Sequence, residues 1–381
     1  MTPSFFRLII YSAYNGIKFR YLRLIGKTGS PKALSLEITH RCIARCIMCN
    51  IWKIPADIPD PSIKELLELL SKDIFSNLVE LDITGGEPFI RKDITGLFSG
   101  ICRLKKKNLK SLKSIAVTTN GLLTRQVISA LEQSLPLLKD SKIHLVVVCA
   151  LDSAGSLHDN IRNYKGAWEK VRHTIRELKE LRKLFPNLIL GLKTTILPIN
   201  IEELDGINCF AEKNDLFTII SPCIITPGRY LNPELADSLK FTQKDKNKII
   251  DFFQKRSGGW QYHQDKLIQY LKTGVMKKNC TCGYNYYFIR SSGEVFLCPL
   301  IKEGAGSLKK ASLESIINSK KSSQIRRKIG RFPECQVCTE PGLERYALPC
   351  EGFSYLFMLL KMGKKSFFKL HTHMGLDMYF E

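Results

Sequence analysis

The chain has 381 residues, with 58 Lys and Arg against 36 Asp and Glu for a formal charge of +22, and 13 cysteines. This length exceeds one ordinary domain, so a large α/β unit with a smaller appendage is expected. An odd cysteine count in a large chain, with no cleavable signal pattern read at its start, excludes a small, fully paired disulfide framework and points to a reducing cytoplasm. The cationic excess asks for an anionic partner such as phospholipid, nucleotide or nucleic acid, without choosing among them.

Phe5 to Lys27 carries no acidic residue, and Ile10, Tyr14, Ile17, Tyr21 and Leu24 recur at helical spacing among Arg7, Lys18, Arg20 and Arg23. The pattern predicts a cationic amphipathic helix, weakened by Gly16 at its middle. Its charges argue against a spanning segment and for one lying in a bilayer interface. The competing reading packs this helix on the body of the protein and leaves its basic residues solvated.

From Pro31 to Ile225, apolar β-branched runs alternate with amphipathic stretches, the pattern of βα units on a parallel sheet. Six strands are expected, over Ala33–Thr39, Val79–Thr84, Ser114–Thr119, Ile143–Ala150, Leu188–Ile196 and Phe217–Cys223. Helices are expected over Ser62–Ser71, Ile94–Leu104, Thr124–Leu135, Ala167–Leu184 and Ile201–Lys213. Cys42, Cys46 and Cys49 follow the first strand as Cys-x3-Cys-x2-Cys. Structural zinc and electron-carrier clusters close their shells with four protein ligands, so a trio of thiolates leaves one metal corner open for a substrate. Leu81-Asp-Ile-Thr-Gly-Gly-Glu-Pro88 ends the second strand. Taken alone this is a strand-ending turn, although Gly85 and Gly86 also suit a close backbone approach to a ligand.

The spacing Cys42-Ile-Ala-Arg-Cys46-Ile-Met-Cys49, coupled to Gly85-Gly-Glu-Pro88, resembles the signature of the radical S-adenosylmethionine (SAM) enzymes. The resemblance implies a partial (βα)6 TIM-type barrel, with both motifs on the rim at the C-terminal strand ends, where parallel barrels place reactive groups. It further implies a [4Fe-4S] cluster on the three thiolates and SAM as cosubstrate, received by Gly85, Gly86, Glu87 and Pro88. Reductive cleavage of SAM would release a 5′-deoxyadenosyl radical that abstracts hydrogen. Similar family contacts are implied for Thr119 and Asn120 in Val117–Gly121, for Asp152, and for Arg162 in Asn160–Arg162. As isolated residues these read equally as a turn, a helix cap and a solvated charge. Thr194, Thr195 and Asn200 are weaker candidates. The chain departs from the family pattern at Met48, where an aromatic is common, and at Ala150, where relatives often place a hydroxyl.

Beyond Phe241 the alternation fades and Cys280, Cys282, Cys298, Cys335, Cys338 and Cys350 appear. Gly293-Glu-Val-Phe-Leu-Cys298 and Cys335-Gln-Val-Cys338 resemble the SPASM or twitch extension of radical SAM enzymes, a cysteine-rich module for auxiliary iron-sulfur clusters. No cysteine lies between Pro341 and Leu348, so one auxiliary [4Fe-4S] cluster is expected rather than two. Cys298, Cys335 and Cys338 are its expected ligands, with Cys280 or Cys282 as the fourth and Cys350 an alternative; a tetrahedral zinc site is the competing reading. Cys102, Cys149, Cys209 and Cys223 are expected to be buried as small apolar residues. No histidine is assigned. At the far end Tyr355–Leu360 is apolar, followed by Lys361, Lys364, Lys365 and Lys369 with Phe367 and Phe368 among them.

The expected organisation is a basic amphipathic segment over 1–30, the radical SAM barrel over 31–240, the auxiliary-cluster domain over 241–350 and an apolar, basic tail over 351–381. The expected protein is a cytoplasmic C–H-activating enzyme, with peripheral contact at the inner membrane surface. It would take a small-molecule, lipid-linked or peptide substrate and be reduced by a donor such as flavodoxin or ferredoxin. No aromatic and basic RNA-reading module is found, so nucleic acid is not the expected partner. The alternative is a non-catalytic zinc protein with a nucleic-acid-binding surface.

Overall fold

The computed structural model describes residues 5–256, 260–373 and 375–379. A single nine-stranded sheet organises them, in the order β6-β5-β4-β3-β2-β1-β7-β8-β9. The first six strands are β1 (Ala33–Thr39), β2 (Glu80–Gly85), β3 (Ser114–Thr119), β4 (His144–Ala150), β5 (Leu188–Ile196) and β6 (Phe217–Pro222). All pair in parallel with their sequence neighbours, starting from Ala33 opposite Glu80. Every position of β1 is buried, as expected of a parallel strand covered on both faces.

Outside this sheet lie α2 (Ile63–Leu70), α3 (Ile94–Lys105), α4 (Thr124–Asp140), α5 (Gly155–Arg162), α6 (Ala167–Leu184) and α7 (Leu204–Lys213), preceded in the chain by α1 (Phe5–Ile25). The start of α2 is set by a reciprocal cap: Ser62 accepts from the Glu65 amide while the Glu65 carboxylate accepts from the Ser62 amide. Three elements differ from the pattern-based expectation, the first being α7, which starts at Leu204 rather than Ile201 because a 3-10 turn over Pro198–Glu203 precedes it. Helix α4 continues past Leu135 through Pro136 to Asp140, because Leu138 buries its side chain on the same face as Leu131 and Leu135. Helix α5 is polar enough that periodicity does not announce it, yet it carries Arg162 to the rim.

Two more helices, α8 (Gln243–Lys255) and α9 (Gln261–Thr273), precede the cysteine-rich module. Their Ile249, Phe252, Phe253 and Leu267 share a core with Ile196 and Ile220 of the barrel strands, so they pack as part of the barrel's flank. The module itself continues the sheet: β7 (Tyr286–Ile289) pairs in parallel with β1, and β8 (Glu294–Phe296) and β9 (Gly306–Ser307) follow antiparallel. Short helices α10 (Leu313–Asn318), α11 (Lys320–Lys328) and α12 (Pro333–Gln336) lead to α13 (Pro341–Glu351) and α14 (Phe353–His373), the last interrupted at Gly363.

Helix α13 reaches into the open barrel. Tyr346 stacks on Tyr286 with ring centroids 5.2 Å apart, and Arg345 pairs with Glu80 at the N-terminal end of β2. Between α13 and the strands lies an interior cavity of about 300 Å³, lined by inward residues including Ser35, Asp82, Ala116, Val148 and Lys193. Helix α1 lies against α13 and α14. The crossing is tight: a Cβ on Gly352 would meet the Ser12 carbonyl at 2.1 Å, and one on Gly16 would meet the Phe353 ring at 2.2 Å. Gly16, a weak point for an isolated helix, is therefore where the helix gains its packing.

Candidate active site

The loop after β1 is held in place mostly by backbone hydrogen bonds. The Ile47 amide donates to Ile161 O at 3.0 Å, the Arg45 amide to Arg162 O at 3.2 Å, and the Asn50 amide to Tyr230 O at 2.9 Å. Asn232 Nδ2 donates to Met48 O at 2.8 Å, and Trp52 Nε1 to Cys49 O at 2.8 Å. So fixed, Cys42, Cys46 and Cys49 line one cavity of about 160 Å³ at the C-terminal ends of the strands.

The Gly85-Gly86-Glu87 turn is the neighbouring wall, and its glycines answer to the protein before any ligand. The Gly86 amide donates to Thr39 O and the Glu87 amide to Arg41 O, both at 2.9 Å. A Cβ on Gly85, whose φ is +142°, would stand 2.0 Å from Thr39 O, and one on Gly86 would stand 2.2 Å from Arg41 O. These two residues thus fasten the start of the cysteine loop to the end of β2, and both also line the cavity.

Glu87 is fully buried and does not line the cavity. Its carboxylate accepts from Thr119 Oγ1 at 2.9 Å, the Asn120 amide at 2.7 Å and the Phe89 amide at 3.1 Å. Burial pushes its pKa up to about 7, against the pull of those donors. Glu87 ties the ends of β2 and β3 together, and Pro88 is buried behind it. The tie aims Asn120, whose Nδ2 stands 3.7 Å from Cys42 Sγ.

Opposite them, Arg162 Nη2 and Asp152 Oδ2 form a buried ion pair at 2.5 Å, and Arg162 Nη1 stands 3.6 Å from Cys46 Sγ. Burial raises the Asp152 pKa, with Arg162 opposing. Asp152 Oδ1 accepts from the Thr195 amide at 2.8 Å, and Asn200 Nδ2 braces the Asp152 carbonyl at 2.8 Å. Asn200 is thereby a brace, whereas Thr194, Thr195 and Ala150 line the cavity. His158 accepts from the Asp152 amide at 3.2 Å, and burial holds its pKa down at about 3, leaving a neutral ring. The Arg162 Nε is buried without a hydrogen-bond partner.

Burial pushes the Cys42 thiol up to about 12 and the Cys49 thiol to about 11. Among the described residues no three His, Cys, Asp or Glu side chains are gathered as a single ion would hold them. A four-iron cube takes each thiolate on a different iron, so it does not ask for that crowding. The donor set fits such a cube: three thiols face one cavity, and Asn120 and Arg162 supply donors to two of the sulfurs.

Several wall residues carry no motif signal. Lys193 on β5, Arg229, Tyr230 and Glu340 line the cavity, and Lys193, Arg229 and Glu340 also border the interior cavity below. Arg229 Nη2 donates to Thr84 Oγ1 at 2.6 Å. Glu37 closes the wall at β1, accepting from Ser291 Oγ at 2.8 Å. None of them belongs to a spacing that the sequence alone singles out. Trp52 and Tyr230 supply aromatic surface although Met48 does not. Cys223, expected to be an inert core residue, is half-buried and lines the cavity near Cys49; Cys209, likewise expected inside, is exposed.

The second cysteine group is assembled from distant segments. Cys280, Cys282 and Cys298 are joined by side-chain hydrogen bonds, the Cys282 thiol holding Cys280 below the usual range and being pushed above it in turn. Cys335 and Cys338 feel the charges of Cys280 and Cys298, and burial pushes them up to about 12 and about 11. Lys278, deeply buried and donating to Glu340 O at 2.9 Å, stands beside them. Cys350 keeps different company: Thr281, Lys18, Lys32 and Glu351.

Comparison with known proteins agrees with this layout. Residues 36–206 match the radical SAM superfamily model, and residues 280–339 match SPASM, an iron-sulfur cluster-binding domain. The chain is 30% identical over 151 residues to AlbA, the subtilosin biosynthesis protein of Bacillus subtilis, covering 39% of this chain and 31% of AlbA. It thus spans about a third of that curated relative's length. It is 22% identical over 356 residues to the AdoMet-dependent heme synthase of Methanosarcina barkeri, covering 86% of this chain and 93% of that one. In fold it is similar to Streptococcus suis SuiB, solved bound to S-adenosylmethionine, at 14% identity and a TM-score of 0.57, over 84% of this chain and 75% of that one.

Proposed function

From the premise that this chain belongs to the radical SAM superfamily, as an enzyme that uses a [4Fe-4S] cluster and SAM and carries a SPASM domain for auxiliary iron-sulfur binding, we propose that Cys42, Cys46 and Cys49 hold the SAM-binding cluster and that C–H activation takes place in the cavity they line. When bound, the cluster and SAM supply a 5′-deoxyadenosyl radical able to take a hydrogen atom from a substrate. The carrying observation is that the three thiols, the Gly85-Gly86 backbone and Arg162, paired behind the wall with Asp152, come together at one cavity.

The chain's own residues divide the work. Gly85 and Gly86 present bare backbone to SAM's methionine end while anchoring the cysteine loop. Asn120 and Arg162 donate toward sulfur, which stabilises the thiolate charge. Arg162, its charge kept by Asp152, is also placed to meet a carboxylate. Glu87 acts behind this layer by positioning Asn120, and Thr119, bonded to Glu87, stands in the cavity wall beside it. Lys193, Arg229, Tyr230 and Glu340 face the substrate, and Pro341 helps to exclude water. The auxiliary [4Fe-4S] cluster is assigned to Cys298, Cys335 and Cys338 with Cys280 or Cys282, where it passes an electron or positions substrate, and a donor such as flavodoxin or ferredoxin reduces the enzyme. Cys350 is left aside because its neighbours are lysines and Thr281.

The substrate is a small molecule, a lipid-linked molecule or a peptide. AlbA, named for bacteriocin biosynthesis, favours a peptide, whereas the heme synthase, aligned along most of both chains, favours a small molecule. The test is anaerobic: the reconstituted enzyme should form 5′-deoxyadenosine from SAM on reduction, and substrate deuterium in a labelled cell extract should appear in that product. Absence of 5′-deoxyadenosine from iron-replete, reduced enzyme would refute the assignment. No finding favours the zinc reading.

A further inference from the structure

Helix α1 has two apolar faces, one packed on the body and one exposed. Leu8, Ser12 and Phe19 are buried against the body. On the other side Phe6, Ile10, Tyr14, Ile17, Tyr21 and Leu24 are exposed by 58–79%, at steps of three and four residues, forming one continuous stripe. The stripe runs about 27 Å along the helix. Beside it α14 adds Phe357, 66% exposed, and Leu360, 81% exposed. Scattered apolar surface residues need no explanation, but a ridge shared by two neighbouring helices marks an interaction face.

Its border is cationic. Helix α1 contains no Asp or Glu, and Lys18, Arg23 and Lys27 are exposed on or just beyond it, as are Lys361, Lys364 and Lys365 on α14. The side chain of Lys369 lies outside the described residues. Arg20 is held by Glu351 at 2.7 Å. Along one edge a groove of about 740 Å³ opens between α9 and α14, where Arg20, Lys266 and Lys361 outnumber Asp265 and Glu351 beside the Phe353 and Phe357 rings.

We propose that α1 and α14 form a docking face for an anionic lipid bilayer, with α1 lying along the surface, its apolar stripe among the lipid chains and its lysines and arginines among the headgroups. An apolar face framed by cations is the makeup of an interfacial helix, and anionic lipid supplies the opposite charge. None of the described helices is long and apolar enough to cross a membrane, so the contact is peripheral. A second copy of the chain fits less well, because pairing two such faces would bring cationic borders together. The inference is independent of the chemistry proposed for the cavity, and binding is read without any turnover.

The test is sedimentation of the full-length protein with vesicles of phosphatidylcholine alone or mixed with an equal part of phosphatidylglycerol, at low salt. Mixed vesicles should bind the protein at least about tenfold more strongly than the neutral ones, and rising salt should release it. The triple substitution Ile10→Asp, Ile17→Asp, Leu24→Asp, all at exposed positions, should lower binding at least about tenfold while leaving iron content and circular dichroism unchanged. Changing Lys361, Lys364 and Lys365 to Gln should lose several-fold on mixed vesicles only. A wild-type protein that stays in the supernatant, or an aspartate variant that sediments like wild type, would overturn the proposal. So would a dimer in light scattering that the aspartate substitutions split and that ignores vesicles.

Discussion

The two cysteine centres differ in how they are built. Cys42, Cys46 and Cys49 come from one loop of eight residues, and all three line a cavity edged by glycine backbone and by Arg162, which Asp152 holds from behind. Cys280, Cys282, Cys298, Cys335 and Cys338 come from three stretches of chain and include three buried thiols, beside a buried lysine. The first arrangement suits a metal that must accept a ligand, the second a group kept from solvent. What separates them is access, since both use the same donor atom.

The broadest way to break this contrast is to change Cys42, Cys46 and Cys49 to Ala together. SAM cleavage should fall to background, with a loss of roughly four irons per chain and retained auxiliary absorption. If 5′-deoxyadenosine still forms, the open site has been misassigned. Changing Cys298 and Cys338 to Ala should do the reverse, removing the other four or so irons while SAM still binds, as equilibrium dialysis would report. Next in size is Gly85→Ala. Its Cβ would overlap Thr39 O, so β1 and β2 must separate at the rim; SAM cleavage should drop at least about a hundredfold, with a stability loss on the order of 3 kcal/mol in urea titration. Asp152→Asn leaves Arg162 as an uncompensated buried charge and should lower the unfolding free energy by about 3–5 kcal/mol.

The finest test concerns Glu87. Its pKa is held at about 7 against an ordinary 4.5, so the folded chain binds this proton more tightly than the unfolded one. The contribution is full below pH 4.5 and is lost as pH rises through 7, on the order of 3 kcal/mol across that window. Glu87→Gln should flatten this part of the stability profile, measured by urea midpoints at stepped pH. An unchanged slope would mean that the three donors, rather than burial, govern the carboxylate.

Much of the barrel was legible because parallel strands covered on both faces need unbroken apolar runs, and β1, β3 and β5 begin and end where those runs do. The first cysteine group was legible because its spacing is local. Glu87 shows the limit: sequence places it in the right motif, but only the fold shows its carboxylate spent on Thr119, Asn120 and Phe89. Lys193, Arg229 and Glu340 gave no local signal, since their meeting depends on β5, the segment after β6 and the start of α13 converging. The packed reading of the N-terminal helix holds on one face, where Leu8 and Phe19 lie inward, while Ile10 and Ile17 remain exposed on the other.

Glu340 and Pro341 belong to the C-terminal part of the chain, yet they border the chamber that the barrel opens. The barrel cut free at its last strand would therefore be a vessel with one side missing, and under the proposed chemistry its radical would be lost on C–H bonds of buffer and reductant. Selection can exchange substrates by redrawing that side alone, without touching the machinery that ignites the reaction.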